Sequence, residues 1–109
     1  MAWEQSTENV VYAQSAGEVY DAVLKAAESL KYVLEGDNRT SFTAVFRIGK
    51  TLFTKGEVLT VTVSEYLSTG KTSVRFESNS VKGTEKKAKA KNQKNISDLV
   101  SAVNELLSV

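Results

Sequence analysis

Residues 57–78 constrain the fold of this chain more than any other stretch, because they read as two long strands joined by a short turn. Leu59, Val61 and Val63 alternate with Thr60, Thr62 and Ser64, and after Ser68, Thr69, Gly70 and Lys71 the residues Val74 and Phe76 alternate with Ser73, Arg75 and Glu77. A period of two marks a strand with one buried face. Both apolar sets share that face only if the connecting loop holds an even number of residues. This points to a loop of residues 68–71, with Gly70 supplying a positive φ and Val63 set opposite Phe76. A sheet with one apolar face needs a cover, and two segments qualify.

The first cover follows a short strand at residues 9–13. Ser15 and Glu18 have the spacing of a capping box, in which the serine oxygen takes the Glu18 N–H and the Glu18 side chain reaches back to the Ser15 N–H. Val19, Val23, Ala26, Ala27 and Leu30 then recur at helical spacing, widened by Tyr20 and Leu24, with the charged residues mostly opposite. The second cover is residues 85–107, where Ile96, Leu99, Val100, Val103, Leu106 and Leu107 form an i, i+3, i+4, i+7 stripe that no helix breaker interrupts. Its first half, residues 86–95, is lysine, alanine, asparagine and glutamine without an apolar stripe.

Between the covers, residues 32–35 predict a strand and residues 36–39 a turn. Residues 40–49 predict another strand, with Phe42, Ala44, Phe46 and Ile48 facing inward. Residues 49–56 then lead to the central hairpin as a ribbon whose tip carries Leu52 and Phe53. The chain has no proline, and five of its six glycines (Gly36, Gly49, Gly56, Gly70 and Gly83) fall where the pattern breaks. The element order is β-α-β-β-β-β-α. Short connections favour an antiparallel meander, and a crossing helix lets the N-terminal strand pair with the free edge of the hairpin. The expected architecture is two-layer α+β: an antiparallel five-stranded sheet of order 2-3-4-5-1 with both helices on one face.

The order of elements resembles that of the TATA-box-binding-protein-like fold, which is related to the helix-grip proteins. Phe42-Thr43-Ala44, the stretch from Gly56 through Val61, and Lys94-Asn95-Ile96 followed by spaced leucines are similar to small bacterial proteins. The resemblance implies a fold and carries no catalytic motif, since one scaffold hosts many roles.

Composition limits the chemistry. At 109 residues the chain is one domain, residues 1–109, able to remove roughly two thirds of its surface from water, with residues 1–8 expected as a flexible lead. It has no cysteine and no histidine. Thiolate nucleophiles, imidazole acid–base steps and the usual zinc sites are therefore ruled out. The acidic residues show no spacing that gathers a metal or a catalytic pair, so no catalytic residue, metal or cofactor is expected, and the chain is read as a non-enzyme. No apolar run is long enough to span a membrane and the N-terminus lacks the form of an export signal, which makes a cytoplasmic protein the expectation.

Two features point to contacts. Six lysines (Lys82, Lys86, Lys87, Lys89, Lys91 and Lys94) stand against Glu85 in residues 81–95, a local charge of +5 against −4 for the remainder. Lys86, Lys87, Lys89, Lys91 and Lys94 are candidate contacts for phosphates or an anionic membrane surface, or else a solvated helix start that opposes the macrodipole. The run has neither arginine nor aromatic residues, and the outward sheet face has no apolar wedge, so nucleic acid is not the expected partner. Leu52 and Phe53, flanked by Lys50 and Lys55, are a candidate partner contact, or else fold back over one end of the core. The expected function is a small non-enzymatic domain that binds a protein partner. The alternatives are a carrier of a small apolar ligand between sheet and C-terminal helix, or a weak binder of anionic polymer or membrane through the lysines.

Overall fold

In chain order the elements are β1 (Gln5–Tyr12), α1 (Ala16–Ser29), β2 (Val33–Asn38), β3 (Thr43–Ile48), β4 (Glu57–Tyr66), β5 (Lys71–Ser80) and α2 (Glu85–Leu106). The structure, a computed structural model, describes residues 5–48, 57–66, 69–80 and 85–107, with backbone alone at Gln5, Ser80 and residues 85–89. Its five strands form one sheet of order β1-β5-β4-β3-β2, and every neighbouring pair is antiparallel. This is the order that the sequence predicts.

The β4–β5 hairpin differs from expectation in register and agrees with it in face. Tyr66 pairs with Lys71, so the connection is residues 67–70 rather than 68–71, and Val63 lies opposite Val74 while Val61 takes Phe76. Both loops hold an even number of residues. The inward set therefore survives a two-residue slip intact, and Leu59, Val61, Val63, Val74 and Phe76 are all buried. Gly70 closes the loop at φ 71°, with its N–H on the Tyr66 carbonyl at 2.8 Å. Facing away from the core, Thr60 and Thr62 are half-buried and Ser64 and Arg75 exposed.

The edge strands depart further from the sequence pattern. β1 begins at Gln5, four residues before the expected start, and residues 5–8 pair with residues 76–79 of β5. Half of the expected flexible lead is thus strand, held by backbone hydrogen bonds that need no apolar alternation. At the other edge β2 runs on to Asn38 and takes in Gly36, which was expected in a turn. A bulge between Leu34 and Gly36 absorbs the extra residue. The turn itself is residues 39–42, and Phe42, expected inside the strand of residues 40–49, ends it at φ 51°. Its carbonyl accepts the Val63 N–H at 2.9 Å and its ring meets Tyr20 edge-on at 5.4 Å, contacts that offset the left-handed backbone.

Both helices lie over the apolar face. Ser15 caps α1 by accepting the Glu18 N–H at 3.3 Å, and the Glu18 carboxylate accepts the Ser15 hydroxyl at 3.1 Å rather than reaching the backbone. Glu65 of β4 accepts the Ala16 N–H at 2.7 Å, so the sheet itself satisfies a second orphan donor of the first turn. Val19, Tyr20, Val23, Ala26 and Ala27 are fully buried beneath α1. Beneath α2 the buried positions are Asn92, Ile96, Leu99 and Val103. Leu106, expected in that stripe, is 52% exposed, while Leu107 beside it packs against the core. Among the described residues no helix is long and apolar enough to cross a membrane.

α1 ends in a Schellman arrangement: Tyr32 N–H reaches the Ala27 carbonyl at 2.9 Å, Lys31 N–H reaches Glu28 at 3.0 Å, and Lys31 takes φ 65°. A side chain at that left-handed position costs what glycine does not. Lys31→Gly is therefore expected to stabilise the fold by about 0.5–1 kcal/mol, read as a higher urea midpoint at unchanged slope. An unchanged or lower midpoint contradicts the assignment.

Candidate functional site

The positive φ at Lys31 turns the chain sharply at the end of α1 and leads through Tyr32 into Val33 and Leu34 of the outermost strand. Leu34 pairs with Phe46 of β3 on the helix side of the sheet, where α1 covers it only in part. A half-open groove of about 340 Å³ results, lined by Leu24 and Glu28 of α1, Lys31, Tyr32, Leu34 and Phe46. Phe46 is 1% exposed, and Leu34 is 46% exposed. The next residue along, Val33, points to the opposite side of the strand and is 60% exposed. Two neighbouring aliphatic residues are thus left open on a strand that, among the described residues, pairs on one side only.

A polar seam runs from the groove to α2. The Tyr32 hydroxyl donates to the Asn95 carbonyl at 3.2 Å, the Asn95 amide donates to Glu57 at 3.0 Å, and the Ser78 hydroxyl donates to Asn92 at 2.7 Å. One turn earlier on α1, the buried Tyr20 hydroxyl donates to the Asp37 carboxylate and lies 3.1 Å from the Thr43 carbonyl oxygen. Arg39 covers its ring at 5.2 Å and bonds Asp21 at 2.7 Å. This cluster fixes the β2–β3 turn against α1, and with it the position of the strand that carries Leu34. The lining is apolar with a mixed-charge rim. It can hold an apolar group, and among the described residues no three acidic side chains gather as a metal site.

The residues singled out in the sequence stand differently. Lys50, Leu52, Phe53 and Lys55 lie outside the described residues, and for Lys86, Lys87 and Lys89 only the helical backbone is described. Lys91 and Lys94 are exposed, and Lys94 forms an i, i+4 ion pair with Asp98 at 2.7 Å. Val61, Phe76 and Val103, the positions a ligand beneath α2 would touch, are all fully buried. The groove went unread because strand periodicity assigns Leu34 to a face without telling whether a helix reaches it. Leu24, at the margin of the α1 stripe, was the available signal.

Burial pushes the Tyr12, Tyr20 and Tyr32 phenols up to about 12, aided by Glu8 at Tyr12, by the hydrogen bond to Asp37 at Tyr20, and by Asp98 and Glu57 at Tyr32. A pKa raised above its unfolded value of about 10 favours the fold fully below pH 10, and that contribution is lost as pH rises toward 12. Stability is therefore expected to fall from about pH 10 upward, with these three phenols ionising together with unfolding in an absorbance titration. Free ionisation of all the tyrosines near pH 10 in a folded chain contradicts this placement. A scan against models of protein families gives no match, and no curated protein is significantly similar to the chain.

Proposed function

We propose that this chain is a small non-enzymatic binding domain, working in the cytoplasm, and that its contact surface is the groove between the end of α1 and β2. The observation that carries this reading is Leu34, a large aliphatic residue left 46% exposed above the buried ring of Phe46. Sites for small ligands range over about 300–1,000 Å³ and enclose most of the ligand. A half-open groove of about 340 Å³ suits one large apolar side chain of a protein partner better than an enclosed cargo. β2 beside it is an edge strand among the described residues, and its outer side offers backbone groups to the same partner. The lack of cysteine fits a reducing compartment.

An amide-resolved NMR titration with apolar probes, extended peptides carrying a central Phe or Leu, and anionic vesicles tests this. Shifts centred on Leu24, Tyr32, Leu34 and Phe46, abolished by Leu34→Asp, are expected. Shifts at Val61, Phe76 and Val103 instead move the function to a carrier beneath α2. Shifts confined to Lys91 and Lys94 that vanish in high salt move it to anion contact.

A further inference from the structure

The two edges of the sheet are built differently. β2 is six residues long, bulged between Leu34 and Gly36, and carries Glu35 and Asp37, devices that keep an edge from pairing along its length with another sheet. β1, the other edge among the described residues, pairs with β5 over all eight of its residues without a register shift. It has no lysine and no proline, its one charge is Glu8, and Val11 is 60% exposed on it. The side of α2 next to this edge is also bare of charge. The Tyr12 hydroxyl donates to Asn104 at 2.8 Å, which marks the stripe of α2 nearest β1. Back along that stripe stand Val100, Ser97 and Gln93, all uncharged in a chain that is 25% charged. The helix runs parallel to the strand: Ser78, paired with Ser6, bonds Asn92, and Tyr12 bonds Asn104. Asn9, midway between Ser6 and Tyr12, is therefore level with Ser97 and Val100.

We propose that a second copy of this chain docks here, β1 against β1 about a two-fold axis at Asn9, so that the two sheets become one. Facing residues of an antiparallel pair share a side of the sheet, so a symmetric register sets one residue type on the axis. An axis at Glu8 puts two carboxylates opposite each other, and an axis at Val10 pairs residues 8–12 only. With Asn9 on the axis, residues 6–12 all pair and Glu8 meets Val10. The same register brings Ser97 and Val100 toward their counterparts on the second α2, with side chains small enough for the helices to approach. Pairing β1 of one copy with β2 of the next would instead propagate as an open chain, and the bulge in β2 opposes it. The groove beside β2 stays open in both copies, so the dimer stands independently of the role given to the groove.

Light scattering of the full chain tests this. A mass of twice 11.9 kDa is expected by about 100 μM. Asn9 is exposed, and Asn9→Lys and Asn9→Asp each set like charges face to face on the axis, so each is expected to weaken the dimer about 10-fold or more with the circular dichroism unchanged. Mixing the two variants in equal amounts is expected to restore the doubled mass, because Lys then faces Asp. A native mass of 11.9 kDa at that concentration overturns the proposal, as does a mass that keeps rising past the dimer. A dimer that persists in both Asn9 variants, a mixture that stays monomeric, or a dimer lost in Leu34→Asp instead overturns it as well, since each places the contact elsewhere. Should an Asn9 variant not fold, Val11→Lys adds the missing charge to the exposed side of the same edge and is read for the same loss.

Discussion

Leu59, Val61 and Val63 point to the same side of β4 as Val74 and Phe76 do on β5, and the other elements answer to that shared apolar side. Burying each such side chain contributes about 1.5–3 kcal/mol, so leaving the face wet is not an option. α1 meets it with alanines at 26 and 27, small enough for close approach, and α2 meets it with Leu99 and Val103. At its ends the inward face turns polar, and there α2 and the segment before α1 supply partners. Thr72 donates to the Gln14 carbonyl at 2.6 Å, Ser78 finds Asn92, and no buried side-chain nitrogen or oxygen among the described residues lacks a hydrogen bond. Helix and sheet are therefore matched in polarity position by position.

Two helices do not cover five strands evenly. α2 lies against β1 and β5, and α1 against β4, which leaves β2 at the margin. The Tyr20–Asp37 contact and the Arg39–Asp21 pair hold the β2–β3 turn at one end, and Arg47 bonds Glu35 at 2.8 Å across the bulge. Between these fixed points Leu34 shares a groove with Leu24 and Glu28 of α1 and stays 46% exposed. The groove follows from how much of the sheet two helices reach, and the proposed binding role follows from that shortfall.

Much of this was legible in the sequence and some was not, for identifiable reasons. The period-two runs of β4 and β5, the Ser15 N-cap, the positive φ at Gly70 and the strand order are local or nearly local signals, and each appears as expected. The hairpin register slipped by two because parity fixes the face of a strand without fixing its partner. β1 was read as starting late because Gln5 to Glu8 pair through their backbones and show no apolar pattern. Asn92 was missed as a core position because a polar residue on an apolar stripe looks like the stripe's end, when its amide oxygen in fact accepts the Ser78 hydroxyl. Phe42 was placed inward in a strand, whereas a left-handed aromatic at a turn depends on Tyr20, distant in sequence.

The central claim is that one side of the sheet is sealed by both helices and the other is open to water. An alanine scan by urea denaturation across the two sides tests it most directly. Leu59→Ala and Leu99→Ala are expected to cost about 2–5 kcal/mol each. Thr62→Ala and Ser64→Ala, on the open side, are expected to stay within about 0.5–1 kcal/mol of the native chain. If the threonine and serine substitutions cost as much as the leucines, or Leu99→Ala costs no more than a surface change, the helices do not seal this face and the architecture is wrong.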